Sequence, residues 1–150
     1  MTGQYGCGGW QKNKREEGSC CFAYSALFMI GHGIGHLTGF LSAWTRADSG
    51  FKDRPWIFSP GVTIRTLVGK VFGLIWLLAL LGFVASGLGL IFGQAWWPTL
   101  AIISALISLL AIVPWWRSAS PGAWAGDAFD LFVLVVLLSP LRELVLSLIH

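Results

Sequence analysis

Apolar residues run through the chain in four long blocks, separated by short polar or proline-bearing breaks. The blocks cover residues 22–43, 67–92, 97–116 and 126–146. Each meets or approaches the roughly 20 helical residues needed to cross a hydrocarbon core about 30 Å thick. The pattern predicts an all-α polytopic membrane protein, a four-transmembrane-helix bundle. Residues 1–21 read as a polar, flexible N-terminal tail and residues 22–150 as the membrane domain. The fourth block is the weakest. Asp127 and Asp130 stand near its start, Arg142 and Glu143 near its end, with eleven uncharged residues between Asp130 and Arg142. Charges close to both ends reach the interface by snorkelling. Ser139-Pro140 predicts a kink that neighbouring helices can accommodate.

Composition agrees with that pattern. Hydrophobic residues make up 55% of the chain and charged residues 11%, and the mean hydropathy is +0.71. Soluble domains are about a quarter charged, so the expected solvent is the lipid bilayer. The net charge of +3 is too small and too scattered for nucleic acid; it bears on topology alone. Arg46, Lys52, Arg54, Arg65 and Lys70 lie in or beside the first loop and Arg117 in the third. The positive-inside rule therefore places loops 1 and 3 in the cytoplasm of a prokaryotic inner membrane, although Lys12, Lys14 and Arg15 argue the other way. Six tryptophans (Trp44, Trp96, Trp97, Trp115, Trp116 and Trp124) fall at block ends, as an interfacial aromatic belt requires; Trp76 lies within the second block. In the first loop, Pro55, Pro60 and Gly61 break any helix. Trp56, Ile57 and Phe58 there predict a short interfacial segment. Cys7, Cys20 and Cys21 show no zinc-type spacing and read as structurally incidental, with lipidation or a Cys7 disulfide as the alternatives.

One stretch of the first block carries chemistry: MIGHGIGHLTGF, residues 29–40. Gly31, Gly35 and Gly39 recur every four residues and predict a small-residue packing stripe, matched by Gly69 and Gly73 in the second block. Such a stripe serves a tight contact between the first two helices or a homodimer. His32 and His36 form a second stripe on another face. An imidazole in hydrocarbon leaves a polar N–H unsatisfied. It either bonds a carbonyl or hydroxyl across the bundle (Thr38, Ser42, Ser104 and Ser108 are candidates) or does functional work. Depth along the helices predicts a hydrogen bond from His36 to Asp130, with Asp127 in support. That carboxylate would fix the imidazole's tautomer.

Three readings of function follow. The leading one is a non-enzymatic accessory or small-ligand-binding membrane protein with a polar cluster of His32, His36, Asp127 and Asp130, alone, as a homo-oligomer or within a larger membrane complex. The alternative is a subunit of a redox or photosynthetic complex bearing haem or (bacterio)chlorophyll on His32 or His36. A proton-coupled transporter or a membrane enzyme is third. If a metal is held, His32 and His36 are the residues to hold it. The chain lacks a phosphate-binding glycine loop, an HExxH zinc motif and a Gly-x-Ser-x-Gly elbow.

The motifs His36-Leu37-Thr38-Gly39-Phe40, Leu74-Ile75-Trp76-Leu77-Leu78-Ala79, Trp96-Trp97, and Trp116 ahead of an Asp130-bearing helix resemble those of small bacterial four-helix integral membrane proteins. In general shape these are similar to DoxX-like proteins. The resemblance covers about residues 22–146 and implies a helical bundle and no particular activity.

Overall fold

The structure is a computed structural model and describes residues 14–46, 61–117 and 121–149. Within them the chain is all helical: α1 (Lys14–Gly35), α2 (Leu37–Trp44), α3 (Leu67–Ile91), α4 (Trp97–Ile112), a 3₁₀ turn (Val113–Trp115), α5 (Pro121–Leu138) and α6 (Leu141–Ile149). The predicted interfacial segment at Trp56–Phe58, the first thirteen residues with Cys7, and the side chains of Cys20 and Cys21 lie outside the described residues. Helix α1 begins at Lys14, so the segment taken as flexible tail already enters helix eight residues before position 22.

Three spans, Ala23–Trp44, Leu67–Ile91 and Trp97–Trp115, are long and apolar enough to cross a membrane. Their outward faces carry large apolar side chains: Leu27 and Ile34 on α1, Leu74, Leu78 and Leu81 on α3, Ile103, Leu106 and Leu110 on α4. A water-soluble protein would aggregate through such a surface; in lipid it is the solvated face. The inward faces carry small residues instead. Ala79, Ser86, Ala101, Ser104 and Ala105 are buried, and Gly82 lies against Ser104 across the α3–α4 seam. The Ser86 hydroxyl donates to the Trp97 carbonyl at 2.8 Å. This is how helices associate when lipid removes the hydrophobic drive: close backbones and hydroxyl bonds.

The turn between α3 and α4 shows why it can be so short. Gly93 has φ +62°, with Gln94 N–H donating to the Gly89 carbonyl and Gly93 N–H to the Leu90 carbonyl. That is a Schellman cap, which needs a left-handed residue and so favours glycine.

The tryptophans divide into two groups. Trp44, Trp96, Trp116 and Trp124 are exposed, as a belt should be, but Trp97 and Trp115 are buried with Trp76. Trp115 packs on Trp76 and Phe72. The expectation of an interfacial belt fails for those two because they close the ends of the core.

Helix α5 corrects the map of the fourth block. It starts at Pro121, because proline is well suited to the first turn, where its missing N–H costs nothing. It stops at Leu138, where Ser139 and Pro140 interrupt the ladder, and α6 follows as a separate helix. Its 18 residues rise about 27 Å at 1.5 Å each. Asp130 is therefore near the midpoint of a helix, and not near its end. Helix α1 packs on α3, α3 on α4 and α4 on α5, while α6 touches α1.

Candidate functional site

The site begins with a break in a helix. His36 separates α1 from α2. Its N–H donates to Gly33, and Gly39 N–H donates to His36, both three residues back as in a 3₁₀ turn. A 3₁₀ step turns the chain by about 120°, against about 100° for an α step. The overwinding breaks up the expected glycine stripe. Gly33 faces Phe83, Leu80 and Val84 of α3, and Gly39 lies against the Trp76 ring, while a Cβ on Gly31 or Gly35 would meet nothing within 4 Å. Gly39 and Gly73 do pack as predicted in kind, Gly73 against Ala43 and Trp44, and Gly69 abuts the backbone of Ile64. Gly31 and Gly35 do not pack; they open onto a cleft. The Thr38 hydroxyl donates to the Gly35 carbonyl at 2.8 Å, supplying a partner where the helix is interrupted.

That cleft has a volume of about 700 Å³ and runs between α1–α2 and α5. Gly31, Gly35, His32, His36, Trp76, Ser108, Gly126 and Asp127 are among its walls. It lies between two apolar layers of the core, one around Ala26, Met29, Phe83 and Val133, the other around Ala43, Trp76, Ile112 and Trp115. Helices α1 and α5 meet through side chains: Phe28 and Phe129 rings 4.9 Å apart, His32 and Phe129 rings 4.7 Å apart.

The third and shortest link is polar. His32 Nε2 and Asp130 Oδ1 stand 2.8 Å apart; the imidazole is 9% exposed and the carboxylate 0%. Gly126, one turn before Asp130, makes room for this ring: a Cβ there would stand 3.2 Å from His32 Cε1. The predicted partner of Asp130 was His36, and the direct bond belongs to His32. His36 Nε2 instead meets the Ser108 hydroxyl at 3.3 Å, one of the hydroxyls named from the sequence. The two imidazoles pack edge to face, 4.8 Å between centroids, and Phe83 lies against both. The other hydroxyls serve the backbone: Ser104 donates to Leu100 and Ser42 to Thr38.

Two carboxylate oxygens are left over. Asp127 Oδ2 and Asp130 Oδ2 are buried without a hydrogen-bond partner among the described residues. Burying an unpaired acceptor is costly, so these atoms call for a donor or a cation. His32, His36 and Asp130 each offer one ligand atom, all within 4.8 Å of one another. Glu143 is exposed on α6 and takes no part. Phe83, Phe129 and Gly126 were not singled out from the sequence. Gly126 carried a signal, being a small residue four before Asp130 and so on its face; the two phenylalanines carried none among so many apolar residues. No family model, curated protein or solved structure matches this chain.

Proposed function

We propose that this chain is a non-enzymatic protein of the prokaryotic inner membrane that binds a small molecule in the cleft between α1 and α5. The observation that carries the reading is the buried His32–Asp130 pair, 2.8 Å apart, near the middle of the Ala23–Trp44 span and of α5 and beside that cleft. Ionisable groups at membrane mid-depth are expensive, and they mark binding or transport pathways. The cleft's volume is that of a small-molecule pocket. Its largely apolar walls with a few convergent polar groups suit a molecule with an apolar body and a hydrogen-bonding end. Helix α5 makes the fourth crossing, which puts both chain ends on one side, and the arginines and lysines of loops 1 and 3 make that the outer side. A periplasm-specific reporter fused after residue 150 should therefore be active; an inactive one sinks this topology.

The cofactor reading draws support from the open space at Gly31 and Gly35, where a flat macrocycle could lie beside the helix. Against it, His32 reaches Asp130 across the seam between α1 and α5, so a macrocycle, unlike a bare ion, would have to separate the two helices to reach that ring.

The experiment is native mass spectrometry of the full chain released from lipid nanodiscs. The wild type should carry a non-covalent adduct. Gly35→Leu, whose Cβ would meet nothing within 4 Å and whose side chain enters the cleft, should lose most of it at unchanged thermal stability. Equal adduct in both proteins, or none in either, would refute the reading.

A further inference from the structure

We infer that His32, His36 and Asp130 form a binding site for a divalent transition-metal ion at the inner end of the cleft. The inference rests on the cleft being a genuine binding site and names what its polar end holds. Histidines four apart on one helix face are a recurrent metal-binding arrangement, because both nitrogens then reach one point. Here a carboxylate from a different helix joins them, giving two nitrogens and one oxygen. Imidazole with carboxylate suits zinc, cobalt and iron rather than magnesium or calcium, which prefer oxygen alone.

The distances fit an ion of this kind. Two atoms each about 2.1 Å from a tetrahedral ion stand about 3.4 Å apart. The present separations run from 2.8 Å, for His32 and Asp130, to at most 4.8 Å within the set. To reach that spacing the first must widen by about 0.6 Å and the longest shorten by up to about 1.4 Å, which ring rotation can supply. Phe83 and Phe129 hold the His32 ring from two sides, and Phe83 also lies against His36.

Charge gives an independent reason. Asp130 Oδ2 and Asp127 Oδ2 are buried without partners among the described residues, and both residues are at least nine-tenths buried. A dication beside two carboxylates and two neutral imidazoles leaves the cluster uncharged, which a low-dielectric surrounding favours. The fourth coordination position falls to the cleft that both histidines line, so a molecule held there can bind the ion directly.

The test uses the full chain, purified in mild detergent, stripped with chelator and titrated separately with Zn²⁺ and Co²⁺. One ion per chain is expected, with Co²⁺ giving the visible bands of a four-coordinate nitrogen and oxygen site. Asp130→Asn and His36→Gln should each weaken Zn²⁺ binding by more than about 100-fold, beyond the roughly 10- to 100-fold effect of losing an outer partner. Glu143→Gln should leave it unchanged. The wild-type Co²⁺ spectrum needs no variant to fold and decides the matter if variants are lost. Substoichiometric binding, an octahedral all-oxygen Co²⁺ spectrum, or affinity unchanged in Asp130→Asn would overturn the inference. If Zn²⁺ fails while the mass-spectrometric adduct persists, the ion is refuted and the cleft stands; loss of both refutes the cleft as well.

Discussion

Replacing His32 by alanine is expected to destabilise the folded chain by about 3–5 kcal/mol. The reason is what remains behind. Asp130 is 0% exposed, its Oδ1 is held by His32 at 2.8 Å, and its Oδ2 has no partner among the described residues. Without the imidazole the carboxylate is a buried, unpaired acceptor in an apolar seam. Asp130→Leu should cost less, about 1–3 kcal/mol, because the polar group it strands is a neutral ring with some exposure. The pair removed together, His32→Leu with Asp130→Leu, should come close to wild-type stability, since neither member is then left without the other. This order, with the double variant milder than either single one, is a signature that a purely packing role for His32 would not give. Reversible unfolding in mixed micelles measures it. Additive losses would show that the two residues do not interact.

The second large effect tests the kink. Gly39→Ala is expected to cost about 2–3 kcal/mol, whereas Gly35→Ala should be neutral or gain up to about 1 kcal/mol from helix propensity. Four residues apart on a straight helix, these glycines would share a face and respond alike. Around the 3₁₀ turn at His36 they do not. A Cβ on Gly39 would overlap the Trp76 ring, and Trp76 is 2% exposed and packed against Trp115, so the ring can yield only by giving up that packing. A Cβ on Gly35 meets nothing within 4 Å, and its backbone is not left-handed. Thermal unfolding of the two variants should shift in opposite directions, or at least differ by the equivalent of about 2 kcal/mol. Equal shifts would mean that α1 runs straight through His36.

Much of the architecture was legible because lipid forces long apolar helices and marks their ends with glycine and proline. Helix α3 was expected over 67–92 and runs Leu67–Ile91. The interruption at Ser139-Pro140 was readable for the same reason. The start of α5 was misplaced because Pro121 and Gly122 resemble a loop in sequence, although proline also opens helices. That misplacement carried through to the site. With the helix begun at 126, Asp130 sat near an end, and His36 was the histidine at its depth. Begun at Pro121, the helix brings Asp130 to the level of His32. The kink at His36 left no mark in the sequence, since no proline causes it, and so Gly31 and Gly35 were assigned to packing when they border the cleft. The members of the polar cluster were identifiable one by one, because an imidazole or carboxylate in an apolar run must find a partner. Which pairs with which depends on helix register, and spacing along one chain does not fix the register between two helices.

The bridge that His32 and Asp130 make between α1 and α5 carries the proposed function. Solid-state nitrogen NMR of the full chain in lipid bilayers, with ¹⁵N-labelled histidine, addresses it most directly. The account predicts a His32 Nε2 resonance coupled to a side-chain carboxylate carbon, abolished in Asp130→Leu, with the His36 resonance responding to Ser108→Ala. A His32 signal indifferent to Asp130→Leu would contradict the claim, and the cleft, the ion and the proposed function would lose their foundation with it.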